Sequence, residues 1–468
     1  MTRLLHTRSE TLAALETLAA SATEELILAV RTLSPGTPLL TEALTERGLN
    51  TWSDLIAWVT RRGVRLLMAF GDDDPLFDAD RHRRVWLAAS AFANVHQGNA
   101  QIFCAPHGQT IGRLWTLRFR RPIRAALRQL ATDDARRLTL PQRAALAKGP
   151  TPRPQRIAQS FAVADGERAL IGGYSIDMRH KGQDWHDVAA LIEDADFAGA
   201  LRSHFADCWS AAIATGAPTL ASEPRPFATV SRRQSRPELR LLRTLSDPSS
   251  GPLAFTGTTK ARDAETHLLR TFGAARQHVF IETPAFRHPA LADALASAAR
   301  ATPELQLTVV LHPDADILPF GGALPDTVAR AEDARDHTLA LLARAFGRQA
   351  TFLKHAPQGR DTVAQRGPDG TAGRVIVVDG TTIVLGSHSL TLRSMRLDTE
   401  ASVLIRDTCL AQDLVAQRAR KWLGPEADNK DPTRAETWAT APAPLETFKP
   451  QAPAPRRTRP MRLPDKAF

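Results

Sequence analysis

Two stretches of the 468-residue chain place a cation, hydroxyls and acids at matching spacings. In the second, Arg374 is followed by Asp379-Gly380, Gly386-Ser387, Ser389 and Glu400. In the first, Ser160 is followed by Asp165-Gly166, Gly172-Gly173, Ser175 and Asp187. A guanidinium can grip a phosphate through two hydrogen bonds, and hydroxyls can donate to its remaining oxygens. Arg374, Ser387, Ser389, Ser175 and Ser160 are therefore the candidate phosphate-binding residues.

The elements that must position them are short and apolar. Residues 374–405 read as three buried strands rich in Val and Ile, separated by turn chemistry at Asp379-Gly380 and by an arginine turn at Arg393. Residues 163–192 repeat this order. A shift of 214 positions brings Asp165-Gly166 onto Asp379-Gly380, Gly172-Gly173 onto Gly386-Ser387, Ser175 onto Ser389 and Arg179 onto Arg393. One single-residue gap then brings Asp187 onto Glu400. Register held over some thirty residues implies a duplicated unit. The period is too long for a solenoid, so two homologous halves packed face to face are expected.

Gly386-Ser387, Arg393-Ser394-Met395 and Leu397-Asp398-Thr399-Glu400 resemble the second motif of the phospholipase D superfamily, in the form found in bacterial phospholipase D and cardiolipin synthases. Gly172-Gly173 and Trp185-His186-Asp187-Val188 resemble its counterpart in the first half. The family pattern reads HxKxxxxDG followed by GSxN, and this chain departs from it. The two His positions hold Ala158 and Ala372, and the two Lys positions hold Ser160 and Arg374. The Asp positions, Asp165 and Asp379, are kept, while Ser175 and Ser389 replace the asparagines.

The resemblance implies a mechanism in which one histidine attacks phosphorus, the other protonates the leaving oxygen, and an acid orients the imidazole. Glu400 and Asp187 occupy the orienting positions, with the site between the halves. Alanine supplies neither nucleophile nor acid. His388 lies between Ser387 and Ser389, and strand alternation should turn it away from them. His186 beside Asp187 meets the same objection. His180, in a turn, is the freer candidate for a rescued mechanism. The surviving polar set either binds phosphate or closes on itself. Because an unpaired buried carboxylate is costly, closure is expected as a Glu400–Arg374 pair.

Composition frames these readings. A length of 468 residues accommodates two domain-sized cores. A net charge of +10 favours anionic partners, although an arginine-rich composition alone would also produce it. Cys104, Cys208 and Cys409 lie far apart and form neither a metal spacing nor a disulfide framework. No apolar run is long enough to span a bilayer, and the acidic N-terminal segment reads as an amphipathic helix rather than a leader. The Asp72-Asp73-Asp74 loop is a solvated turn in preference to a metal site. No metal or cofactor is expected.

The expected fold is α/β: two homologous phospholipase D-like halves, each a mixed sheet flanked by helices, packed around a pseudo-twofold interface. The halves span residues 1–215 and 239–427, joined by a Pro- and Ser-rich linker at 216–238. A Pro-rich basic tail at 428–468 should be disordered. Three functions remain open. The chain is an inactive or impaired member that binds phospholipid head groups or other phosphodiesters, an active phosphodiesterase using displaced residues, or, as the weakest of the three, a nucleic-acid-binding protein. A cytoplasmic location, peripheral at an anionic membrane surface, accords with the first. The sequence does not fix an oligomeric state.

Overall fold

The computed structural model describes residues 1–105, 110–149, 152–174, 176, 187–214, 217, 219–221, 236–246, 251–255, 257–312, 320, 327–355, 373–452, 463 and 465–467. Seven strands build the first sheet: β1 (Thr2–Leu5), β2 (Glu25–Val30), β3 (Arg65–Gly71), β4 (Ala100–Ala105), β5 (Ser160–Ala164), β6 (Arg168–Gly172) and β7 (Ala189–Glu193). Nine build the second: β8 (Leu239–Ser246), β9 (Thr259–Arg262), β10 (His278–Thr283), β11 (Gln306–Leu311), β12 (Ala350–His355), β13 (Val375–Val378), β14 (Thr382–Gly386), β15 (Glu400–Arg406) and β16 (Leu445–Thr447).

The strand orders are β1-β7-β6-β5-β2-β3-β4 and β16-β12-β11-β10-β13-β14-β15-β8-β9. Reversing the second order aligns it with the first, β8 taking the place of β1, with β9 and β16 added at the edges. Strand senses agree as well. β2-β3-β4 and β10-β11-β12 are parallel, and each trio continues through an antiparallel hairpin, β5-β6 or β13-β14. These are two mixed sheets flanked by helices, as the α/β reading expects.

Strand alternation explains how the sheets pack. On β5, Phe161 and Val163 face a core shared by both halves, while Ala162 and Ala164 face the first half's own helices. On β13, Val375 and Val377 enter the shared core, while Ile376 and Val378 face the second half's helices. The helices Ala195–Ala214 and Thr408–Leu423 line the shared core through Phe205, Trp209, Leu414 and Trp422. Because its residues come from both sheets, the halves share one hydrophobic interior.

Three local expectations need correction. The chain begins with β1 rather than a helix. β1 pairs antiparallel with β7, and the first helix, Arg8–Ala20, starts at a Thr7–Glu10 capping box. Leu39, Leu40, Leu55, Ile56 and Val59 ahead of Arg62-Gly63 lead the sequence to predict one helix over 38–62, but the segment holds two, Glu42–Thr45 and Trp52–Arg61. The second begins at its own capping box, where Thr51 accepts from the Asp54 N–H. The expected disordered tail is packed as far as β16 and Phe448. Trp438 is buried with its ring 5.2 Å from Phe280, Leu445 enters the shared core, and β16 pairs with β12. Average composition missed this because a few large apolar side chains do the docking amid Pro, Ala and Thr.

Candidate functional site

β13 runs antiparallel to β10, with Glu282 opposite Val375. Arg374 therefore emerges at the carboxyl end of the parallel trio β10-β11-β12, the end of an open α/β sheet where ligands usually bind. The loops after β6 and β14 meet there. A Cβ added to Gly173 would lie 2.1 Å from Asp187 Oδ2, 2.8 Å from the Gly386 carbonyl oxygen and 3.0 Å from Arg374 Nη1. The two related glycine loops thus cross beside Arg374, and Gly173 is glycine because its side-chain space is taken.

Arg374 is 8% exposed. Its Nη1 lies 3.8 Å from Asp187 Oδ2, its backbone N–H donates to Asp187 Oδ1 at 3.4 Å, and its Nε donates to Ser389 Oγ at 3.4 Å. The expected Glu400–Arg374 pair is not the contact that forms: the paired acid is Asp187, brought in by the first half. Glu400 instead accepts from Ser394 Oγ at 3.0 Å. It stays at the start of its own strand, whereas Asp187 reaches across where Gly173 leaves room.

Both orienting acids are buried. Burial pushes the Asp187 carboxyl up to about 7 despite the opposing charge of Arg374. Burial, aided by the neighbouring Asp398 charge, pushes Glu400 up to about 8. Glu400 is therefore largely protonated at neutral pH and Asp187 about half ionised, so Arg374 faces a partial negative charge. Among the described residues, one oxygen of each, Asp187 Oδ2 and Glu400 Oε2, has no hydrogen-bond partner, and neither does Ser160 Oγ.

The other expected site residues have different roles. Ser387 Oγ exchanges hydrogen bonds with the backbone of Ala401, at 3.2 Å to its carbonyl and 3.0 Å from its N–H. Ser160 pairs in register with Gly172 at the start of β5. Ala158 donates its N–H to the Thr399 carbonyl at 2.9 Å, which ties the first half to the second. Ser175, His180, His186 and Ala372 lie outside the described residues.

Asp165 and Asp379 do not join the centre. Each adopts positive φ, 55° and 53°, at the far end of its strand, so Asp379 is about 16 Å from Arg374 at ~3.3 Å per residue. Asp165 accepts from the backbone N–H groups of Thr23, Glu24 and Glu25, and Asp379 from those of Arg276, Gln277 and His278. They are matched turn anchors. Sequence spacing placed them in a catalytic motif, but a straight strand separates them from it.

His388 turns away from the serines as alternation requires. It is buried between Ser402 Oγ at 2.7 Å and Thr244 Oγ1 at 3.0 Å, and burial pushes its pKa down to about 3. The Asp72-Asp73-Asp74 loop is buried rather than solvated, with each carboxylate committed separately. Asp72 meets His82 Nδ1 at 2.6 Å and Trp86 Nε1 at 3.0 Å, Asp73 pairs with Arg156 at 3.0 Å, and Asp74 accepts from the backbone N–H groups of Leu76, Phe77 and Arg153.

Sequence reasoning missed the largest buried ionic cluster beside this centre. Glu282 accepts from Arg418 Nε at 2.7 Å and lies 2.8 Å from His312 Nε2. Burial alone would raise the Glu282 pKa, yet Arg418 and His312 outweigh it and hold the carboxylate well below its usual range. The three residues come from β10, the end of β11 and the closing helix, so no local motif joins them. The one signal was an acid inside the apolar HVFIET run.

Inter-half contacts use the rest of the second motif. Arg393 forms a buried pair with Asp398 at 2.6 Å and donates to the Pro154 carbonyl. Asp398 accepts the Arg156 N–H at 2.8 Å, and Ile157 forms a parallel bridge with Thr399. The arginine turn fastens the segment leading into β5 onto the second half. Beside Arg374, the cavity lined by Glu282, Thr283, Gly386, His388 and Ser402 measures about 10 Å³, room for about one water.

Residues 268–422 match a family described as "Cardiolipin synthase, PLD-like domain". No curated protein matches the chain. Among solved structures, the phosphatidylserine synthase of Haemophilus influenzae Rd KW20 is 14% identical, covering 96% of this chain and 87% of its own, with a TM-score of 0.49. Nuc, a phospholipase D family member from Salmonella typhimurium, is 14% identical over 38% of this chain and 90% of its own, at 0.24. The polyphosphate kinase of Porphyromonas gingivalis is 9% identical over 93% and 54%, at 0.44. The second half thus carries a phospholipase D-like domain of the cardiolipin synthase type. No helix among the described residues is long and apolar enough to cross a membrane.

Proposed function

We propose that this phospholipase D-like protein has lost phosphodiester cleavage and is retained as a binding or regulatory module for phosphate-bearing ligands, phospholipid head groups foremost. The carrying observation is the state of Arg374. The cation at the family's lysine position is buried, faces Asp187 from the other half, and adjoins a space for about one water. Ala158 offers no imidazole beside it. A centre whose cation faces an acid from the other half, with no nucleophile at the family position, supports the loss of cleavage. Loss of a coupled nucleophile costs on the order of a million-fold in turnover.

A second reading, cleavage by displaced residues, draws support from His312. Its Nε2 faces the Glu282 carboxylate at 2.8 Å at the same end of the sheet, an acid–imidazole pair of the kind that orients a nucleophile. Turnover on phosphatidylcholine, phosphatidylglycerol and bis-p-nitrophenyl phosphate decides between them, with His180→Ala and His312→Ala as controls. The first reading expects no turnover above the controls. Turnover lost in either variant would overturn it.

A further inference from the structure

At the opposite end of the second sheet from Arg374, the β13–β14 turn, the start of β8, the end of β15 and the helix Asp263–Gly273 enclose a cavity of about 420 Å³. That volume falls in the range of small-ligand pockets. Arg240, Arg270 and Arg406 line it, with His267, Thr381, Thr382 and the carboxylate-bearing Asp379. Topology assembles the set: Arg240 is opposite Leu404 and Arg406 opposite Thr382, while His267 and Arg270 lie three residues apart on one helical face.

Three guanidiniums at one cavity repel one another unless an anion sits among them. Among the described residues none of the three forms an ion pair with a carboxylate. Their one side-chain hydrogen bond runs from Arg240 Nη1 to His267 Nε2, at 3.3 Å. The nearby acids are already engaged: Asp379 by three backbone N–H groups, and Asp263 by Arg243 at 2.8 Å. Arg270 and Arg406 are exposed, which leaves them open to solvent ligands.

We infer that this cavity is an anion site, separate from the interface centre, that takes the phosphate group of a phosphomonoester. Arg240, Arg270 and Arg406 supply charge and bidentate donors, and Thr381 and Thr382 supply hydroxyls to the remaining oxygens. The inference rests on the phosphate-binding half of the reading above, not on the loss of cleavage. The two sites stand about 16 Å apart along β14, from Thr382 to Ser387. The same three arginines bear on His267: burial first, then Arg240 and Arg270, push its pKa below the usual value, against the opposing charge of Asp263. A bound phosphate would reverse that push, so binding near pH 6 should take up protons.

The test is calorimetric titration of the full chain with inorganic phosphate and glycerol 3-phosphate at physiological salt, in two buffers of different ionisation enthalpy. Flotation with phosphatidylcholine vesicles carrying phosphatidic acid runs in parallel. The variants are Arg270→Ala/Arg406→Ala, Arg270→Lys/Arg406→Lys and Arg374→Ala. Wild type should bind with proton uptake, the double alanine variant should bind at least tenfold more weakly, and the double lysine variant should recover part of the loss. Binding to vesicles alone, lost in the double alanine variant, would support the site and identify the source as a lipid head group. Undiminished binding by the double alanine variant would overturn the site. Loss only in Arg374→Ala would also overturn it while leaving phosphate binding intact at the centre. Failure of wild type to bind any of the three would overturn the site together with the ligand-binding reading, and the turnover assay would still judge loss of cleavage separately.

Discussion

Glu400 allows the closed centre to be tested through stability alone. In the folded chain it holds its proton up to about pH 8, whereas its ordinary value is 4.5. Between these values the folded state binds more protons than the unfolded state, so its contribution to stability falls as pH rises and levels off above about 8. At 1.36 kcal/mol per pH unit, the cost of ionising Glu400 in place grows from about 1 kcal/mol at pH 5 to about 4–5 kcal/mol at pH 9. Glu400→Gln imitates the protonated acid and can still accept from Ser394. We predict that the stability difference, variant minus wild type, increases by roughly 4 kcal/mol from pH 5 to pH 9. Urea denaturation midpoints at one-unit pH steps measure it. Asp187, raised to about 7, and His388, lowered to about 3, also make stability pH-dependent, but both proteins share them and the subtraction removes them. A difference that stays flat with pH, or a variant less stable by the same amount throughout, would refute a buried neutral Glu400.

Three further predictions concern the same architecture. Gly173→Ala should destabilise by about 1–3 kcal/mol, because the new methyl meets Asp187, Arg374 and the Gly386 carbonyl, while Gly199→Ala, on a helix with open space, should be neutral or slightly stabilising; thermal melts compare them. Asp165→Ala and Asp379→Ala should each cost about 1–3 kcal/mol by orphaning backbone N–H groups; urea titration of each variant checks it. Glu282→Gln should cost about 3–5 kcal/mol because Arg418 remains buried without its counter-charge, and an unchanged denaturation midpoint would contradict that.

The strands were legible because their apolar runs are short, β-branched and bounded by turn chemistry. β13 and β14 fall within the strands expected in 374–405, and β10 and β11 coincide with the apolar runs at 278–283 and 305–311. The repeat at a shift of 214 is a reading of the sequence alone, beside which the two sheets share a strand order. β1 was not, since four residues beside a helix-forming segment carry too little pattern, and its partner β7 lies far along the chain. The docked segment before residue 452 escaped for a related reason: Trp438 and Leu445 act singly, and composition averages them away.

For the site, the sequence by itself determined what is missing. Ala158 and Ala372 cannot supply an imidazole in any conformation, and no packing changes that. It also determined the orientation of His388, because alternation is a local property of a strand. Tertiary structure alone decided which acid faces Arg374. The sequence pointed to Glu400, on the same half as Arg374, and the choice of Asp187 turned on Gly173 leaving room beside it. It separated Asp379 from the centre by the length of a strand, and it joined Glu282, His312 and Arg418 from three distant segments. Local pattern fixes which way a side chain leaves the backbone, whereas the identity of a buried charge's partner depends on which segments the fold brings together.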